Sequence, residues 1–200
     1  MKKIKEIELI AENEEDQLTA MGWVDLPAIE KNFIYFNDEK NNYVFAKVDD
    51  EKGIIVSPAL IANKRIFRYN PFTNEEYYVY FKEDTIRKLS QDFLIKGNFK
   101  NNTEQHEDPV EGIHLIYSWI VENQQDQIIT KYGFKNIPNG SWVVMYKIDN
   151  DDIKDKIKNG EINGISIEAY LTEKYDTMKS EVTDEIKIDM IRELLKNVKN

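Results

Sequence analysis

Asn163-Gly164-Ile165-Ser166-Ile167-Glu168-Ala169-Tyr170 alternates with a period of two, which predicts a strand. Ile165, Ile167, Ala169 and Leu171 fall on one face; Gly164, Ser166, Glu168 and Tyr170 fall on the other. A hydroxyl and a carboxylate two residues apart therefore project the same way, beside a glycine that leaves room for an approaching backbone. The pattern fits a small nucleophile next to a charge. Taken alone, it more commonly marks the wet face of a half-buried strand.

Working outward, Asp149-Asn150-Asp151-Asp152 predicts the cap of a short helix over 153–158, closed by Gly160. Before it, residues 141–148 predict a strand around Trp142, Val144 and Tyr146, and residues 123–139 a polar loop. Residues 111–121 predict a long strand with Ile113, Leu115, Tyr117, Trp119 and Val121 on one face and His114 and Ser118 on the other. Ile86, Leu89, Phe93 and Leu94 make a helical stripe over 84–96, with Asp84 or Thr85 as cap and Gly97 as stop. Residues 66–81 read as a hairpin turning at Asn70-Pro71. A strand over 54–56 stops before Pro58 and continues extended to Lys64. Residues 33–36 and 43–48 flank a polar hairpin loop, residues 23–33 lead into a turn at Pro27, and 4–10 form a short strand. Residues 183–198 predict a last amphipathic helix with Ile186, Met190, Ile191, Leu194, Leu195 and Val198 on one stripe. Strands and helices come in runs rather than in strict alternation, so the expected class is α+β, with a mixed or antiparallel sheet, closed or nearly so, and helices outside. The expected organisation is a single domain over 1–200: a β-rich extension to residue 50, a core over 51–172 and the terminal helix.

Composition removes several functions. A net charge of −10 and a pI near 4.9 argue against a nucleic-acid surface, which must neutralise phosphates. The absence of cysteine excludes disulfides, thiolate metal sites and a cysteine nucleophile. No apolar run reaches membrane-spanning length, and the basic start at Met1-Lys2-Lys3 lacks the apolar stretch of a secretory signal, so a soluble intracellular protein is expected. The two histidines lack metal-ligand spacing, so neither a metal nor another cofactor is implied.

Serine needs a base to take its proton, and histidine suits that task at neutral pH. Gly164-Ile165-Ser166-Ile167-Glu168 is not the nucleophile elbow of an α/β-hydrolase, because Glu168 replaces the final glycine and the segment lies within a strand. His106, in Gln105-His106-Glu107-Asp108, reads on its own as a solvated loop histidine.

The order of segments carries a resemblance. The segments are Val24-Asp25-Leu26-Pro27-Ala28-Ile29-Glu30, Ser57-Pro58-Ala59-Leu60-Ile61-Ala62-Asn63-Lys64 with Ile66-Phe67-Arg68, and Glu76-Tyr77-Tyr78-Val79-Tyr80-Phe81. They continue with His106-Glu107 and Val110-Glu111-Gly112, Ser118-Trp119-Ile120-Val121-Glu122, Gly140-Ser141-Trp142, and Gly164-Ile165-Ser166-Ile167-Glu168. Together they resemble the XkdF-like phage serine proteases, a branch of the prohead maturation proteases. The resemblance implies an assemblin-like fold, a β-barrel flanked by helices, with Ser166 as nucleophile and His106 as base. Assemblins use a second histidine after the nucleophile. None follows Ser166 here, so the third group is an acid or is absent: Glu168, with Glu107, Asp108 and Asp176 as rivals. The implied substrates are the scaffold protein and major capsid protein extensions, cleaved inside an assembling procapsid in the host cytoplasm. A homodimer is the implied active form, with no nucleic acid or membrane as partner. The competing expectation is a non-enzymatic capsid-assembly protein that keeps the fold; a third is a sugar- or peptide-binding β-domain, suggested only by the aromatic surplus.

Overall fold

The computed structural model describes residues 4–25, 46–49, 53–70, 73–123, 126, 131–132, 134 and 137–175. The terminal helix expected over 183–198, the loop over 37–42 and Asp176 lie outside them.

In chain order the strands are β1 (Lys5–Ile10), β2 (Gln17–Val24), β3 (Ala46–Asp49), β4 (Ile54–Leu60), β5 (Ile66–Asn70) and β6 (Glu75–Phe81). Helix α1 (Glu83–Ile95) and a 3₁₀ turn (Asn98–Lys100) lead to β7 (Asn102–Glu104), β8 (Asp108–Pro109), β9 (Ile113–Ile120) and β10 (Trp142–Ile148). Helix α2 (Asp151–Asn159), β11 (Gly164–Tyr170) and β12 (Thr172–Tyr175) complete the order among the described residues. The class is α+β. The strands form three four-stranded sheets, ordered β12-β1-β6-β5, β3-β4-β10-β9 and β11-β2-β7-β8. The closed sheet expected from the sequence is not present among the described residues, since each ladder ends on strands with no further partner. Two pairings, β1 with β6 and β2 with β7, are parallel, and the rest are antiparallel.

Strand β10 holds the sheets together because it is apolar on both sides. Trp142, Val144, Tyr146 and Ile148 enter the main core, while Val143 and Met145 enter a smaller cluster with Val56, Val121 and Ile137. Trp23 of β2 meets Tyr146 edge to face at 5.2 Å, and Phe93 of α1 meets Trp142 at 5.6 Å. Leu18, Met21 and Phe93 are fully buried, each contributing about 2–3 kcal/mol by area.

The helices follow their sequence signals, with differences at the ends. Asn150 caps α2 by accepting from the Ile153 N–H at 3.1 Å, and Gly160 closes it in the left-handed region at φ 77°. In α1 the capping position is Lys82, without a side-chain bond, and acidic Glu83 and Asp84 occupy the first turn. Leu94, expected on the buried stripe, is exposed. Strand β4 runs through Pro58 instead of stopping before it, because Ala59 is an extra residue opposite the Trp142–Val143 step and the bulge absorbs the missing donor. In β9 the register slips at Ile116. Ile113 and Leu115 consequently face the main core, whereas Trp119 and Val121 turn to the smaller cluster, dividing the single face expected from the sequence.

Candidate functional site

The site lies on the open face of the β11-β2-β7-β8 sheet. Trp23 and Ile165 are cross-strand partners and both are buried in the core. The alternation that sends them inward sends their neighbours Gly22 and Ser166, also partners, to the opposite face. On the other side of β2, Gly22 pairs with Thr103 of β7. Ser166, Gly22 and Thr103 thus form a row across three strands, with the glycine in the middle.

His106 is laid over that row by a tight turn. The Glu107 N–H donates to the Glu104 carbonyl at 2.9 Å, and both central residues, Gln105 and His106, have positive φ (51° and 61°), the signature of a type I′ turn. That turn normally takes Asn or Gly, and a histidine in the left-handed region is uncommon. The conformation is held from both sides. The Gln105 N–H donates to the Trp23 carbonyl at 3.0 Å, and Lys156 of α2 pairs with Glu104. The hydrogen bond to Glu104 keeps the Lys156 ammonium above its usual range, against the pull of burial.

The imidazole occupies the place that a side chain on residue 22 would fill: a Cβ there would stand 2.5 Å from Cε1 and 2.6 Å from Nδ1. Directly opposed Cβ positions are about 5 Å apart, so the Ser166 Cβ stands about that far from the position, on residue 22, that the ring takes up. Nδ1 lies 3.1 Å from Glu168 Oε1, and the same oxygen accepts the Thr103 hydroxyl. Nε2 is buried and has no hydrogen-bond partner among the described residues, so Ser166 does not donate to it. The ring and Glu168 are half-buried, their side chains 22% and 27% exposed, which leaves both reachable from outside. Beside them opens a cavity of about 350 Å³, lined in part by Thr19, His106, Glu107, Ile167, Glu168 and Tyr170.

Of the residues singled out in the sequence, Ser166, His106 and Glu168 are brought to one face. Glu107 and Asp108 are exposed, while the His106 ring is bonded to Glu168. His114 lies elsewhere, on β9 beside Asp149 at 3.4 Å. Gly22 and Thr103 were not anticipated. A glycine inside the apolar run 18–24 is a signal for close approach; Thr103 carries no such signal. Among the described residues, no group of three or more His, Asp or Glu side chains is placed to hold a metal ion.

An imidazole tied to a carboxylate on the face of a serine-bearing strand is a set of side chains that can move protons beside a hydroxyl. The family model described as "Putative phage serine protease XkdF" matches residues 41–176, more than half of the chain. The chain belongs to this XkdF family. No curated protein and no solved structure matches it.

Proposed function

We propose that the protein is an endopeptidase of prohead maturation in which Ser166 is the nucleophile, His106 the general base and Glu168 the acid that orients it. The observation that carries this reading is the His106 imidazole itself. Its Nδ1 is engaged by Glu168, and its buried Nε2 has no partner among the described residues, on the face that Ser166 shares. Glu168 fixes the tautomer with the proton on Nδ1, leaving the Nε2 lone pair for the serine proton. Catalytic hydrogen bonds are often open in a free enzyme and close when substrate docks.

In the first step the Ser166 Oγ–H proton passes to Nε2 while Oγ bonds to the substrate carbonyl carbon. The imidazolium, steadied by Glu168, then gives that proton to the departing amine as the peptide C–N bond breaks. Water, deprotonated by the same nitrogen, releases the acyl group and regenerates Ser166. Backbone N–H groups are the natural oxyanion donors, since they require no particular side chain.

The substrates in this reading are scaffold and major capsid protein extensions inside the procapsid, in the host cytoplasm. The likeness to assemblins extends it to a barrel-related fold and a homodimeric active form, which would hold proteolysis back until the enzyme is concentrated in the shell. The alternative, an assembly protein without activity, draws support from the open Ser166–His106 pair. Co-expression with scaffold and capsid proteins, read by intact mass, separates the two. Wild type should trim its partners; Ser166→Ala and His106→Ala should leave them whole. Trimming by either variant at the wild-type level removes that residue from the mechanism, and no trimming by wild type favours the assembly protein.

A further inference from the structure

Glu168 Oε1 is shared: it meets the His106 Nδ1 and also accepts the hydroxyl of Thr103, which stands in the row with Gly22 and Ser166. We propose that Thr103 is a positioning residue, whose hydroxyl fixes the Glu168 carboxylate in the orientation that holds the His106 ring. This rests on the reading of His106 as base and Glu168 as its orienting acid.

A glutamate side chain has three rotatable torsions and its terminal one is broad, so a single contact to a ring nitrogen leaves it free to swing. Among the described residues, the other side chain bonded to the Glu168 carboxylate is Thr103, which sits two strands away in the same sheet with a stiff β-branched χ1. Its hydroxyl hydrogen is directed at the carboxylate, and the charge of the acceptor strengthens the bond. The same strand feeds, two residues later, into the turn that carries His106. Acid and base are therefore referenced to one short piece of backbone, β7, although their sequence positions are far apart. Thr103 does not touch the reacting atoms.

The test uses Thr103→Val, which keeps the branched shape and removes the hydroxyl, and Thr103→Ser, which restores it. Two readouts are taken on the full chain. In proton NMR, the downfield resonance of a His106 Nδ1–H bonded to carboxylate is expected in wild type and Thr103→Ser, and is expected to shift or broaden away in Thr103→Val. In peptide cleavage, Thr103→Val is expected to lower kcat roughly ten- to a hundredfold with KM little changed, the scale of one lost hydrogen bond to a charged group. Thr103→Ser should stay within about threefold of wild type. An Nδ1 resonance unmoved in Thr103→Val overturns the proposal whatever the cleavage result. If wild type cleaves nothing, the protease reading falls, but the resonance still decides the role of Thr103.

Discussion

Gly22 and the imidazole of His106 claim the same space, since a Cβ on residue 22 would stand 2.5 Å from the ring. The site therefore depends on a residue with no side chain, lying between the strand of Ser166 and that of Thr103.

Gly22→Ala should displace the ring from Glu168 and Ser166. Its backbone is outside the left-handed region, so alanine fits the strand and even restricts the unfolded chain. Misplacing a catalytic group by about 1 Å costs on the order of a hundredfold in rate. Cleavage should thus fall by about that factor while the melting temperature moves by only a few degrees. A Gly22→Ala protein that cleaves like wild type would contradict the placement of the ring.

His106→Gly is expected to abolish cleavage without harming the fold. The native φ of 61° costs an ordinary L-residue roughly 1–2 kcal/mol, and glycine adopts it freely. That relief offsets the lost contact to Glu168. Thermal melting of His106→Gly should match or exceed wild type within about 3 °C. A large loss of stability would show that the imidazole is chiefly structural.

Asp16 links stability to pH. Its Oδ2 accepts from the Glu12 and Asn13 N–H groups at 2.9 and 2.8 Å, and its Oδ1 from the Thr172 hydroxyl at 3.0 Å, which ties the β1–β2 connection to β12. Burial pushes the carboxyl up, but the bonds from Asn13, Thr172 and Glu12 outweigh it and hold it below the usual range. The unfolded chain then binds its proton more readily, so the stabilisation is complete above the ordinary value of about 3.9 and fades as pH falls through the lower folded value. Asp16→Asn should be less stable at pH 7, by about 1–2 kcal/mol. The gap should narrow in melts at about pH 2–3. A gap independent of pH would refute the linkage.

The legible parts of the structure were those encoded locally. The period-two pattern around Ser166, the Asn150 cap, Gly97 and Gly160 as helix stops, and the hairpin of β5 and β6 all depend on residues a few positions apart. Strand β2 was hidden because it is buried on both sides at once. Leu18, Ala20, Met21, Trp23 and Val24 are all buried, and no alternation survives to mark it. The bulge at Ile116 was equally invisible, since register is a property of the partner strand. The same reason divides the site. The shared face of Ser166 and Glu168 was readable within one strand, whereas the row through Gly22 to Thr103 is written only in how three strands pair.

The position of β2 between β11 and β7 has a consequence for the nascent chain. The ribosome delivers β2 among the first strands and β11 nearly last, so β2 must wait with one edge unpaired while most of the chain is translated. Until β11 arrives, His106 lacks its contact to Glu168, and Ser166 is absent from the row. If the proposed mechanism holds, a polypeptide stalled or cut before residue 164 has no cleavage activity, because Ser166 and Glu168 are both still missing.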